Sequence, residues 1–130
     1  MKNLLILFCL MLSVLFISCP SVKPGGEPKY DITTPEGKYQ EGQHYLKQKK
    51  FDLAQRSFAT MVEEFPEHEL ADDAQFMVGE ILSNPKNENV DLEAALEEYE
   101  TLIDDYPDSP FVKKAQKKIE QIEKQLEKSD

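Results

Sequence analysis

The chain has 130 residues, of which 25 are acidic and 15 basic, with a net charge of −10 and 40% hydrophobic residues. This length allows one small domain and leaves little room for a large enzyme cleft. The acidic balance argues against nucleic acid as a ligand, because phosphate binding needs a concentrated basic face.

The first residues have the three-part order of a secretory signal peptide, in which a charged start and an apolar stretch lead to a small residue, here Ser18. The stretch is shorter than the about 20 residues of a membrane span. The segment from Leu15 to Cys19 resembles a bacterial lipobox, in which the cysteine is acylated and becomes the first residue. The resemblance implies a lipoprotein signal peptide over 1–18 and lipidation of Cys19, for example with palmitate. An uncleaved anchor and plain secretion are the alternatives.

The segment after the signal peptide predicts a tether. Cys9 leaves with the signal peptide, so Cys19 has no cysteine with which to form an intramolecular disulfide. Prolines and glycines crowd the stretch that follows, which predicts a flexible tether over 19–34 rather than a fold around a catalytic thiol. Pro20 stands where the inner-membrane retention signal has aspartate. We therefore expect a chain held in the outer-membrane bilayer by the acylated cysteine, with its domain in the periplasm.

From Thr34 onward the sequence repeats itself at an offset of 41 residues. Ten positions recur with the same chemical character. The pairs are Phe51 and Leu92, Ala54 and Ala95, Phe58 and Tyr99, Met61 and Leu102, Phe65 and Tyr106, Pro66 and Pro107, Leu70 and Phe111, Ala74 and Ala115, Val78 and Ile119, and Ile81 and Ile122. Such a period indicates stacked helical units that share a continuous core.

Apolar spacing and capping residues predict five helices in this region. In chain order they cover 35–49, 52–65, 69–83, 91–105 and 110–127. The expected N-cap residues are Thr34, Asp52, Asp91 and Ser109. Pro66 and Pro107 end the helices before them. The longest connection is the loop from Asn84 to Val90.

Part of this pattern resembles the tetratricopeptide repeat (TPR). The matching positions are Gly42, Tyr45, Phe51, Ala54, Phe58 and Pro66. In the second unit Gly79 takes the place of the glycine, and four extra residues lie in the loop from Asn84 to Val90. The resemblance implies an all-α domain over 35–128, built as a short TPR solenoid of two antiparallel helical hairpins and a C-terminal capping helix.

The details are closest to one branch of TPR proteins. The motifs are Tyr39-x-x-Gly42, Glu64-Phe65-Pro66, Ala71-Asp72-Asp73-Ala74 and Asp105-Tyr106-Pro107-Asp108-Ser109-Pro110. They look like BamD-like (YfiO) outer-membrane lipoproteins and the periplasmic TPR protein of the Tol-Pal system. This resemblance implies a membrane-anchored protein-interaction module of the bacterial cell envelope, with a role in outer-membrane protein assembly. The alternative is a structural or scaffold lipoprotein linked to peptidoglycan, cell division or Tol-Pal, which acts as a spacer or oligomer unit.

The TPR resemblance also implies a partner-binding groove on the first helix of each hairpin. The corresponding residues are Tyr39, Gln43 and Lys47 in the first repeat and Phe76, Glu80 and Ser83 in the second. Aromatic and mixed polar side chains suit an extended peptide or a helix of another envelope protein. The alternative is that Tyr39 and Phe76 belong to the core.

No constellation in the sequence indicates catalysis. His44 and His68 lack the further ligands that a metal needs, and the acid pair Asp72-Asp73 fits solvent-facing charges of a helix. We therefore expect no catalytic residues, no metal and no cofactor.

The negative charge is concentrated. Between Glu63 and Asp108 there are 16 acidic residues and a single base, Lys86. This acidic belt indicates either a surface for a basic partner or only a well-solvated helical surface.

The last helix carries an apolar stripe from Phe111 to Leu126. This stripe predicts a helix that covers the preceding repeat, although a short coiled-coil helix is the rival interpretation.

Overall fold

Five α-helices follow one another in the described part of the chain. The computed structural model describes residues 30–128. The helices are α1 (Pro35–Lys47), α2 (Phe51–Glu64), α3 (Ala71–Leu82), α4 (Leu92–Asp105) and α5 (Val112–Leu126). No β-strand occurs within this range, so the predicted all-α class is confirmed. Each helix packs against the next one in the chain, as stacked hairpins require.

Two of the four predicted N-caps are confirmed. The hydroxyl of Thr34 accepts a hydrogen bond from the backbone N–H of Gly37 at 3.1 Å. The carboxylate of Asp91 accepts one from the backbone N–H of Ala94 at 2.9 Å. Each bond satisfies a backbone donor that has no partner within its own helix. These two caps stabilise the first turns of α1 and α4.

The other two predicted N-caps are wrong. α2 begins at Phe51, one residue early, and no side chain caps it. The Asp52 carboxylate accepts instead from the side-chain amide of Asn89 at 3.1 Å. α5 begins after a turn in which the Ser109 hydroxyl accepts from the backbone N–H of Phe111 at 3.1 Å. In both cases the side chain serves a neighbouring feature rather than the helix start.

The turn between α1 and α2 contains a residue in the left-handed region. α1 ends at Lys47, before the predicted residue 49, and Lys49 has a φ of 59°. The backbone N–H of Lys50 donates to the carbonyl of Tyr45 at 3.0 Å and closes the helix end. Glycine is the usual residue in such a position, because a Cβ disfavours it.

Residues that are 41 positions apart in the sequence repeat are buried to the same extent at several positions. Three pairs of residues at that offset lie on the second helices of the two hairpins, each residue with an exposure of 0%. They are Ala54 and Ala95, Phe58 and Tyr99, and Met61 and Leu102. Ala74 and Ala115 are equally buried. These four recurring pairs therefore belong to the hydrophobic core.

Both predicted glycine positions are places of close approach. A Cβ built on Gly42 would lie 2.9 Å from the ring of Phe58, and one on Gly79 would lie 2.7 Å from the ring of Tyr99. These distances are well inside van der Waals contact. Each hairpin therefore has an aromatic ring of its second helix seated on a glycine of its first helix.

The predicted covering role of the last helix is confirmed. Ala115 is fully buried, Ile122 is 4% exposed, and Ile119 and Leu126 pack on the core. Lysine and glutamate occupy the opposite face, which is exposed. α5 thus buries its apolar stripe against α4 and leaves no stripe open for a coiled-coil partner.

The start of the described range is ordered. Asp31 accepts a hydrogen bond from the backbone N–H of Thr34 at 3.0 Å through its carbonyl and one from the Thr33 hydroxyl at 2.6 Å through its carboxylate. Residues 30–34, the last part of the expected tether, therefore form a turn in front of α1. The predicted signal peptide over 1–18, Cys19 and the rest of the tether lie outside the described residues.

Candidate functional site

The three groove residues predicted in the first repeat line one cleft. Tyr39, Gln43 and Lys47 stand on successive turns of α1 and border a cleft of about 500 Å³. The spacing of four residues places them on one face of the helix. We call this cleft, which is also lined by Tyr30, Gln40 and His44, the α1 cleft.

Tyr39 links the α1 cleft to the next hairpin. Its ring packs edge-on against Phe58, with centroids 5.3 Å apart. Its hydroxyl donates to the Asp73 carboxylate of α3 and accepts from the Gln43 amide at 3.0 Å. Burial, followed by the hydrogen bond to Asp73, raises the pKa of Tyr39 to about 12. The hydroxyl therefore stays protonated at neutral pH, and Tyr39 serves both as packing and as one wall of the cleft.

The α1 cleft contains residues that the sequence analysis missed. Tyr30 packs edge-on against His44 with ring centroids 5.7 Å apart. Gln40 and Lys47 are exposed at the same face. Positions 40 and 44 lie three residues before the predicted positions 43 and 47, so helical spacing could have indicated them. Tyr30 lies before the helix, and no periodic signal points to it.

Phe76, the first groove residue predicted in the second repeat, is in the core. It is 4% exposed and stacks on Phe111 with centroids 5.1 Å apart. The Lys114 ammonium lies 5.3 Å from the centroid of its ring. The segment that leads into α5 thus covers Phe76, which agrees with the core alternative for this residue.

Glu80 and Ser83 surround the hydroxyl of Tyr99. Glu80 accepts from that hydroxyl at 2.6 Å and pairs with the Lys118 ammonium at 2.6 Å. The Ser83 hydroxyl donates to the Gly79 carbonyl at 2.8 Å. Burial, followed by the hydrogen bond to Glu80, raises the pKa of Tyr99. These polar groups stabilise the contact of α3 with α4 and α5.

The six predicted groove residues therefore do not form one continuous surface. The first three border an open cleft. In contrast, Phe76 is buried, and Glu80 and Ser83 form hydrogen bonds within the fold. Lys47 is the one exposed residue among the six predicted groove residues. Of the predicted groove, only the part in the α1 cleft is open to a partner.

The partly buried acids of the acidic belt have partners within the structure. Asp73 accepts from Tyr39, Glu80 from Tyr99, and Glu98 from the side-chain amide of Gln75 at 2.5 Å. The others are mostly exposed. Around Tyr106 the acids are dense enough to act together: burial first, and then the charges of nearby acids, raise the pKa of that tyrosine. The belt is thus a solvated acidic surface with a few structural carboxylates.

The two histidines have separate surroundings. His68 lies 3.2 Å from the Glu36 carboxylate, and His44 contacts Tyr30 in the α1 cleft. Within residues 30–128 no group of three or more histidine, cysteine, aspartate or glutamate side chains is placed to hold a metal ion. His68 thus contacts a side chain of α1, and His44 packs against the ring of Tyr30.

None of the helices formed by residues 30–128 has the length and apolar character needed to cross a membrane.

Comparison with known proteins gives one match. The model of a family described as YfiO, outer membrane lipoprotein, matches residues 45–130. No curated protein and no solved structure matches the chain. The matched range begins within α1 and covers both hairpins' remaining helices, whereas Cys19, Tyr39 and Gln43 precede it.

Proposed function

The chain belongs to the YfiO family of outer membrane lipoproteins, and on that premise we propose that it is a membrane-anchored protein-interaction module of the bacterial cell envelope. Its helical hairpins present the α1 cleft to a peptide or helix of another envelope protein. The finer form of the proposal is a role in outer-membrane protein assembly.

One observation carries the proposal more than any other. Tyr39, Gln43 and Lys47, chosen from TPR spacing alone, border a single cleft together with further aromatic and polar side chains. A surface of rings, amides and one lysine can hold an extended segment through stacking and backbone hydrogen bonds. The proposal assigns no catalytic step to these side chains.

The alternative function, a spacer or oligomer unit, has less support from the described surface. Interfaces of permanent homo-oligomers are rich in apolar side chains. Within residues 30–128 the exposed large hydrophobic residues are Ile32, Leu53 and Val90. They are few and lie on three different segments of the chain.

The α1 cleft is tested by site-specific crosslinking of the full chain in its native envelope. A photoreactive residue at exposed Gln40 is expected to capture a defined envelope protein, and Lys47→Glu is expected to reduce the yield several-fold. The reason is that the reversed charge stands at the mouth of the cleft. The matched control is Lys113→Glu on the exposed face of α5, which makes the same charge change elsewhere.

Two outcomes would contradict the cleft assignment. One is the same crosslinked product from a probe at Lys113. The other is an unchanged yield in a Gln40 probe variant that also carries Lys47→Glu, while circular dichroism shows the helices intact. The identity of the captured protein then decides between assembly and another envelope role.

Anchoring through Cys19 is a separate proposal with its own test. In Cys19→Ala the acyl acceptor is absent. The protein is therefore expected either to appear in the soluble fraction or to keep its signal peptide and run as the longer precursor. Labelling with a radioactive or alkynyl palmitate is expected in the wild type and not in the variant. Cys9→Ala is the matched control, because that residue lies within the predicted signal peptide. Equal labelling of the wild type and Cys19→Ala would contradict this proposal.

A further inference from the structure

A second cleft lies at the turns of the two hairpins, away from the α1 cleft. Its walls are the turn between α1 and α2 and the loop between α3 and α4. We call it the edge cleft and define it by Lys49, Lys50, Phe51, Leu53, Lys86 and Asn87; its volume is about 610 Å³. A smaller cavity of about 320 Å³ adjoins it, shares Lys49, Phe51 and Lys86, and reaches the apolar side chain of Met77.

The loop that walls the edge cleft is held firmly. Asn87 is 6% exposed, and its amide donates to the Ile81 carbonyl at 3.1 Å. Its side-chain oxygen accepts from the backbone N–H of Asn89 at 3.1 Å, and Asn89 in turn donates to Asp52 on α2. The four residues inserted relative to the TPR pattern therefore form a fixed wall. A preformed cleft spares a ligand the cost of ordering it.

The edge cleft carries cations on a protein whose net charge is −10. Lys49, Lys50 and Lys86 line it, and Lys86 is the single base within the acidic belt. The ion pairs found among residues 30–128 use other cations, Lys38, His68 and Lys118. The positive charges of the cleft are thus not neutralised by ion pairs within the described residues.

Two acids, Asp52 and Glu88, also line the edge cleft, and Glu80 borders the adjoining cavity. Asp52 accepts from Asn89, and Glu80 accepts from Tyr99 and Lys118. Glu88 is the remaining acid and is exposed. Among the described residues neither Asp52 nor Glu88 forms an ion pair with a lysine of the cleft. A lining with three lysines and two acids therefore keeps a net positive charge.

Lys49 occupies a backbone conformation that glycine would adopt more easily. Its φ of 59° places it in the left-handed region, which disfavours side chains with a Cβ. A lysine there keeps an ammonium group at the mouth of the cleft at some expense of stability. Residues held in such conformations are frequent at binding sites.

We propose that the edge cleft binds an acidic segment of a partner protein. The carboxylates of that segment pair with Lys49 and Lys86 through charge-assisted hydrogen bonds. An apolar side chain of the segment packs on Phe51 and Leu53, the latter 37% exposed. The surface is independent of the α1 cleft and does not rest on the function proposed for it.

Two other occupants fit the cleft less well. An anionic bilayer attracts a basic surface, but it would repel a domain that carries so many acids, and a flat surface cannot fill a cleft. A second copy would place its acidic belt against the cleft in a head-to-tail contact, which produces a ring or an open chain rather than a closed dimer. Both occupants are separate outcomes of the test.

The test uses the full chain purified in detergent and a fluorescent peptide with alternating acidic and apolar residues, Glu-Asp-Leu-Glu-Phe-Asp-Glu. The control peptide replaces each acid by its amide. We expect binding of the acidic peptide alone, measured by fluorescence anisotropy, and loss of most of it at about 1 M salt, where the Debye length is about 3 Å. Lys49→Glu with Lys86→Glu is expected to weaken binding by about tenfold or more.

Two further variants separate binding from folding. Lys113→Glu with Lys117→Glu makes the same charge change on the exposed face of α5 and is expected to leave binding unchanged. Lys49→Gly removes the ammonium but suits the backbone, so it is expected to weaken binding while it raises the melting temperature. A variant that merely failed to fold would lower both.

The proposal is overturned by any of four results. These are equal binding of the amide peptide, an equal loss in the α5 control variant, unchanged binding in Lys49→Glu with Lys86→Glu, or no binding of the acidic peptide at low salt. Lysine-dependent binding to phosphatidylglycerol vesicles, or lysine-dependent self-association in light scattering, in place of peptide binding would assign the cleft to a bilayer or to a second copy.

Discussion

Replacing Tyr99 by alanine is expected to lower the free energy of unfolding by about 3 to 5 kcal/mol, the range for truncation of a buried aromatic residue. Tyr99 is fully buried, and its ring lies 5.5 Å from that of Phe76, centroid to centroid. Its hydroxyl donates to Glu80, which also pairs with Lys118 of α5. The substitution therefore opens a cavity at the point where α3, α4 and α5 meet. Urea denaturation of the full chain, followed by circular dichroism, measures the loss.

Two other substitutions separate packing from hydrogen bonding at this position. Phe58→Ala is expected to have a similar effect, because Phe58 is the equivalent buried ring of the first hairpin. Tyr99→Phe removes only the hydroxyl, with its bond to Glu80 and its long contact with Ser83, and is expected to cost about 1 kcal/mol. A loss below about 1 kcal/mol in Tyr99→Ala would contradict a core centred on this ring.

The core could be predicted from the sequence because burial follows the repeat. Phe58 and Tyr99, or Met61 and Leu102, are the same positions of two copies of one hairpin, and identical packing requires similar side chains. Matched residues at a fixed offset therefore included four pairs that are fully buried, although matched Pro66 and Pro107 are exposed. The TPR resemblance, and not the offset, pointed to Gly42, whose close contact with Phe58 lies within one hairpin.

Boundaries that depend on distant contacts could not be predicted in this way. Asp52 has the residue type and position of an N-cap, yet its carboxylate binds Asn89, 37 residues away. The left-handed conformation of Lys49 is equally hidden, because local patterns predict glycine or asparagine there. In contrast, Thr34 and Asp91 cap their helices through bonds to residues three positions on, and such local bonds are visible in sequence.

The candidate site shows the same division. TPR spacing placed Tyr39 and Phe76 at corresponding positions of two first helices, but only Tyr39 borders an open cleft. Phe76 is covered because the chain continues with Phe111, which stacks on its ring. Whether a groove position is open therefore depends on the following unit, which the spacing within one repeat does not describe. The edge cleft was missed for a related reason, since its two walls come from different hairpins.

Replacing Gly79 by valine is expected to lower the free energy of unfolding by about 1 to 3 kcal/mol, as overpacking of a dense core does. A Cβ at Gly79 would lie 2.7 Å from Cε1 of the Tyr99 ring. The ring cannot move away easily, because it contacts Phe76 and its hydroxyl is bonded to Glu80. Valine is a better helix former than glycine, so a loss of stability must come from the clash.

The matched control for Gly79→Val is the pair Gln116→Gly and Gln116→Val on the exposed face of α5, which measures the helix propensity difference without a clash. Gly42→Val is expected to be destabilising as well, because its Cβ would lie 2.9 Å from the Phe58 ring. Gly79→Val with Tyr99→Leu is expected to lose less than the sum of the single changes, since the smaller side chain relieves the contact. Strict additivity, or a Gly79→Val protein as stable as the wild type, would contradict the prediction that a side chain at position 79 clashes with the Tyr99 ring.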